Sequence, residues 1–101
     1  MRKTKVTFNN EKLQVSSELM RALAHPLRLK IIEFIDTHQE INVNKIYKTL
    51  KLEQSITSQH LKILRMADVV QANRDGKLVH YTLNYPILEN AQRAVNNFLG
   101  K

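Results

Sequence analysis

The chain has 101 residues, 43% hydrophobic and 25% charged, with a net charge of +7 and a pI near 9.9. That fits one domain around a small core, a size that often completes its burial by dimerising. The absence of cysteine excludes disulfides, thiolate metal sites and thiol redox sensing.

The positive charge predicts a polyanionic partner, nucleic acid before an acidic membrane surface. Charge alone does not imply base discrimination, because phosphate attraction is blind to sequence. No apolar run approaches the roughly 18 residues of a membrane span, so no membrane partner is expected. The opening MRKTKVTF is basic without a following apolar stretch and does not read as a signal peptide. A cytoplasmic protein is expected.

Residues 1–9, with Arg2, Lys3 and Lys5, read as a basic tail, either a phosphate contact or a solubilising end. Residues 10–101 read as a single domain. Asn10 caps a first helix running to about Ala24, with Leu13, Met20 and Leu23 as its apolar stripe and Leu19 and Ala22 beside them. His25-Pro26 breaks it, and Pro26 opens a second helix to about Thr37. There Leu27, Ile31, Phe34 and Ile35 make the core stripe, Leu29 and Ile32 widen it, and Arg28 and Lys30 point elsewhere. Ile41 to Val43 reads as one short strand or an extended lead-in. Asn42 caps a third helix, Val43 to Leu50.

Lys51-Leu52-Glu53 makes a short turn into the stretch Glu53 to Met66, EQSITSQHLKILRM. Thr57, Leu61 and Leu64 fall at i, i+4 and i+7, so they share a core face. Gln54, Ser55, Ser58, Gln59 and Lys62 lie mostly opposite, with no acid between Gln54 and Ala67. Amide and hydroxyl groups with a cation beside them suit base edges and phosphates in a DNA major groove. The bland alternative, a solvated helix face, would ordinarily mix Glu with Lys. Two short helices joined by a tight turn, the second polar-faced, make a helix-turn-helix.

After Met66 the period changes. Val69 to Arg74 and Leu78 to Leu83 partly alternate, with Asp75-Gly76 between them as a hairpin signal. This is a wing, with Arg74 and Lys77 near its tip for phosphate or the minor groove, and Asp75 in the turn. Pro86 opens a last helix to about Leu99, striped by Ile87, Ala91, Ala94, Val95 and Phe98, with Leu88 and Leu99 partly outside. First and last helices carry more apolar surface than lone terminal helices need. Leu13, Met20, Ile87, Leu88, Ala91, Val95 and Phe98 are therefore expected at a two-fold dimer interface. The alternative is that both helices simply complete the monomer core.

The fold class is thus mainly α with a small β-hairpin wing, a winged helix-turn-helix in the order helix-helix-helix-helix-strand-strand-helix. On Leu23-Ala24-His25-Pro26-Leu27-Arg28-Leu29, Gln54-Ser55, Ser58-Gln59-His60-Leu61-Lys62-Ile63-Leu64-Arg65, Gly76-Lys77 and Tyr81-Thr82-Leu83, the chain resembles the ArsR family of bacterial winged-helix repressors. The resemblance covers about Ala22 to Leu83. It implies a homodimer on a two-fold-related operator, repression of transcription, base contacts by Gln54, Ser55, Ser58 and Gln59, and terminal helices at the interface. Ile56 stands where the family often has a polar residue; there it either packs on a thymine methyl or turns back into the core. Glu53 stands where a capping Ser is frequent. Lys62, Arg65, Arg74 and Lys77 would supply phosphate contacts.

Many members of that family sense metals through cysteines near the third helix or through Asp, His and Glu on the last. Here Ile41-Asn42-Val43-Asn44-Lys45 holds no thiol, and the last helix holds Glu89 but no histidine. His25, His38, His60 and His80 are scattered singly, with no i, i+4 pair. No metal and no cofactor are expected, and the inducing ligand is not readable. No phosphate loop or activated nucleophile marks an enzyme. The expected function is sequence-specific double-stranded DNA binding as a regulator, most simply a repressor. The alternatives are a winged helix that binds protein and a nonspecific architectural DNA-binding protein.

Overall fold

The computed structural model describes residues 17–100, without the side chain of Phe98. The Asn10 cap, Leu13 and the basic tail expected above lie outside the described residues.

Helix α1 spans Ser17–Leu23. His25 then turns extended, as the residue before a proline must, and its Nδ1 accepts the Leu27 N–H at 3.1 Å. His25 is therefore the cap of helix α2, Pro26–His38, with Pro26 in its first turn. Helix α2 stops at Gln39, whose φ is +68 and whose side chain donates to the Asp36 carbonyl at 2.8 Å. The short strand β1 is Ile41–Asn42. The Asn42 side chain accepts the Lys45 N–H at 2.9 Å and so caps helix α3, Val43–Thr49.

The turn of the helix-turn-helix is a Schellman motif. Lys51 takes φ +56, Leu52 N–H donates to Tyr47 O at 2.8 Å and Lys51 N–H to Lys48 O at 3.3 Å. Helix α4, Gln54–Met66, ends in a second such motif, with Asp68 at φ +62 and Val69 N–H on Leu64 O at 2.9 Å. Both left-handed positions hold a non-glycine residue.

Strands β2, Val70–Asp75, and β3, Leu78–Leu83, form the wing, and β1 adds to its other side, giving the antiparallel order β1-β3-β2. Ile41 lies opposite Tyr81, and Ala72 faces Tyr81 from the other edge. The turn is tighter than the sequence implied. Asp75 still pairs with Leu78, so only Gly76 and Lys77 connect the strands, with Gly76 at φ +63. Asp75 is thus the last strand residue rather than part of the loop. Helix α5, Tyr85–Leu99, closes the fold, capped by Asn84 and ended by a left-handed Gly100.

Ile31, Ile35, Ile46, Leu61, Leu64, Val69 and Val70 fill the core. Each contributes roughly 1.5–3 kcal/mol through burial. Three helical faces differ from expectation. In α1, Leu19 and Ala22 are buried, whereas Met20 is 39% exposed. In α2, Arg28 does not point outward: it is only 9% exposed, because it stands at i, i+3 and i+7 with Ile31 and Ile35. Leu29, expected to widen the core stripe, is instead 49% exposed. In α5, Ala91 and Ala94 are buried and Ile87 and Leu88 pack on the core. Ala91 therefore keeps little surface for a partner.

Candidate nucleic-acid interface

Helix α4 is held from one side only. Thr57, Leu61 and Leu64 are buried, as their spacing predicts, and the Thr57 hydroxyl donates to the Glu53 carbonyl at 2.9 Å. Gln54, Ser55, Ile56, Ser58, Gln59, Lys62 and Arg65 are all exposed. The helix contains no Asp or Glu. Glu53 sits at the N-cap with no side-chain capping bond. Four uncharged polar groups thus lead the helix, and two cations follow on its later turns. Ile56 is 40% exposed, on the flank between the polar face and the core.

The wing places Arg74 and Lys77 at its exposed tip, on either side of the Gly76 turn. The wing is anchored at its base, where Val70 and Leu83 are buried opposite each other. At the opposite edge, His80 Nδ1 approaches Glu40 Oε1 at 3.5 Å.

One contact behind α4 was missed by sequence reasoning. Arg28 Nη1 donates to His60 Nδ1 at 3.3 Å, while its Nε donates to Ala22 O at 2.7 Å and Nη2 to Arg21 O at 3.2 Å. The His25 and His60 rings meet edge-on, 4.7 Å between centroids. Burial, then the neighbouring His25 and Arg28, lower the His60 pKa below its ordinary value. The helical spacing of Arg28 with Ile31 and Ile35 was the signal that could have revealed this.

A second surface is apolar. Met20, Leu23, Ala24, Leu29, Ile32, Leu88, Ala91, Gln92 and Val95 line an apolar groove of about 430 Å³ between α1, α2 and α5. Met20 and Val95 are each about two-fifths exposed there. Of the residues expected at a dimer interface, the structure brings together Met20, Leu88, Ala91 and Val95. Ile87 packs on the core. Leu13 and the Phe98 side chain lie outside the described residues. Among the described residues, no three His, Asp or Glu side chains group as metal ligands. Among the described residues, no helix is long and apolar enough to cross a membrane.

A helix-turn-helix with an acid-free second helix and a basic hairpin beside it defines a winged-helix DNA-binding protein. The profile of the bacterial regulatory proteins of the arsR family matches residues 25–72. The chain is 39% identical over 84 residues to the transcriptional repressor PagR of Bacillus anthracis, covering 83% of this chain and 84% of that one. It is 41% identical over 73 residues to the HTH-type transcriptional repressor SmtB of Mycobacterium tuberculosis, covering 72% of this chain but only 53% of that longer protein. The crystal structure of PagR superposes with a TM-score of 0.69 at 38% identity, over 87% of this chain and all of the other. The chain belongs to the arsR family. It is a DNA-binding transcription regulator and not an enzyme.

Proposed function

We propose that the chain acts as a homodimeric repressor that occupies a two-fold-related operator and excludes polymerase from it. One observation carries the reading: α4 is fixed by Thr57, Leu61 and Leu64 while its free face holds Gln54, Ser55, Ser58 and Gln59 without a carboxylate. These four residues, with Ile56 against a methyl, discriminate bases. Lys62, Arg65, Arg74 and Lys77 hold phosphates and fix the register. Residues 10–101 act as one winged-helix unit, preceded in sequence by the basic stretch 1–9.

The groove of α1, α2 and α5 supports the dimer, because Met20, Leu29 and Val95 expose apolar surface around one depression. A two-fold axis there would set two α4 helices in successive major grooves, about 34 Å apart. The names of PagR and SmtB as repressors favour repression over activation. A DNA target is consistent with a cytoplasmic protein.

Fluorescence anisotropy tests the reading, using a duplex from upstream of the protein's own coding region and a scrambled control. Binding tighter to the upstream duplex by about a thousandfold, at two chains per duplex, is expected. Gln59→Ala should cost on the order of 1–3 kcal/mol on the specific duplex and little on the control. Equal losses on both duplexes would remove Gln59 from base reading. Equal, salt-sensitive wild-type binding to both, persisting for duplexes selected from a random library, would overturn sequence specificity.

A further inference from the structure

We propose that the Arg28–His60 contact is a proton-sensitive strut that positions α4, so that mild acidification releases the chain from its specific DNA site. The proposal rests on the reading of α4 as the base-reading helix. Arg28 ties three elements together: two of its nitrogens donate to the Arg21 and Ala22 carbonyls in the last turn of α1, and the third donates to His60 on α4. His60 directly follows Gln59 and Ser58, so its position sets theirs. Hydrogen bonds to base edges fail within a few tenths of an ångström, so a small shift of α4 removes readout.

The guanidinium has no acceptor, so the His60 nitrogen it meets must carry a free lone pair. A proton on that nitrogen removes the bond and sets an imidazolium 3.3 Å from a guanidinium. His25 faces the same ring from the α1–α2 junction. Among the described residues, no carboxylate pairs with His25, Arg28 or His60 to offset the added charge. Among the described residues, the charged neighbours that act on the ring are His25 and Arg28. The strut therefore holds only while His60 is neutral. His60 is a positioning residue here, not a DNA contact.

The direction of the effect separates it from simple charge. Protonating histidines strengthens attraction to phosphate, so nonspecific binding should hold or rise in acid. Specific binding should fall, by at most about tenfold per pH unit for each excluded proton, one per protomer of the dimer.

The test compares wild type with His60→Asn, whose Oδ1 takes the place of Nδ1 and accepts from Arg28 but does not titrate. A duplex selected from a random library serves as probe, with a random duplex beside it, from about pH 7.5 to about pH 5.5 at fixed salt. Wild type should lose about tenfold or more on the selected duplex, and H60N about twofold or less. Parallel loss in both proteins, a flat wild-type profile, or loss of near-UV circular dichroism at the acid end would overturn the strut. In the free protein, NMR shifts of the Gln54 to His60 amides should follow the His60 ring titration in wild type and stay flat in H60N. That readout needs no DNA. If no duplex is selected, base reading has failed, and the amides alone decide the strut: following the ring supports it, and failing to follow it overturns it.

Discussion

Arg28 of α2 donates a hydrogen bond to His60 of α4 at 3.3 Å, and the same guanidinium holds the carbonyls of Arg21 and Ala22. A buried cation thereby joins the α1–α2 corner to α4. Each of its three nitrogens donates to a partner, which is what makes burial of that charge tolerable.

Replacing Arg28 should be costly. Arg28→Met keeps the apolar stem but leaves Ala22 O and Arg21 O without this donor. A loss of about 2–4 kcal/mol in urea unfolding is expected. Arg28→Lys should recover only part, since one ammonium cannot reproduce the three-way fork. A loss below about 0.5 kcal/mol for Met would show that the bonds contribute little.

Stability should fall in mild acid partly through His60. The unfolded chain takes up this proton near pH 6.5, and the folded chain only at a lower pH. Between those values the unfolded state holds more protons, so stability drops as pH falls through 6.5. Unfolding midpoints at several pH values should show a shallower acid loss in His60→Asn than in wild type. Identical slopes would mean that His60 titrates alike in both states.

Lys51→Gly should stabilise the fold by about 0.5–1 kcal/mol. Lys51 holds φ +56 at the end of α3, a conformation glycine adopts without the Cβ clash. Thermal unfolding reads the gain. A decrease would show that the extra freedom of glycine in the unfolded chain outweighs the relief.

Leu29→Glu, alone or with Met20→Glu, should give a folded monomer. Both side chains are exposed in the protomer, so a charge there meets water until a partner covers it. Sedimentation velocity should show half the wild-type mass with unchanged circular dichroism. A persisting dimer would place the interface elsewhere.

Lys77→Ala should weaken specific and random DNA alike. The slope of log affinity against log salt should shrink by about 1.8, one lost phosphate contact from each protomer of the dimer. An unchanged slope would take the wing tip off the backbone.

Much of this architecture is legible along the chain because it depends on neighbours. His25-Pro26 separates α1 from α2 by the steric demand of proline on the preceding residue. Asn42 announces the α3 cap, and Thr57, Leu61 and Leu64 mark the inner face of α4. Asp75-Gly76 marks the hairpin to within one residue, and the absence of cysteine rules out thiol chemistry outright. The polar face of α4 follows from composition and a period of 3.6, and the family from two short motifs.

Only the tertiary structure decided which apolar side chains are used up. Leu29 and Ile32 look equivalent in sequence, yet Ile32 packs on the core and Leu29 opens onto the groove with Met20 and Val95. Ala91 looks available for a partner but is consumed by the protomer. Burial depends on which helix faces cross, and periodicity defines a face without saying what covers it. Arg28 is the sharpest case. Charge argues that it points to water, and spacing with Ile31 and Ile35 argues inward. The question was settled by two carbonyls of α1 and a ring of α4, acceptors far apart in sequence that meet only after the helices pack.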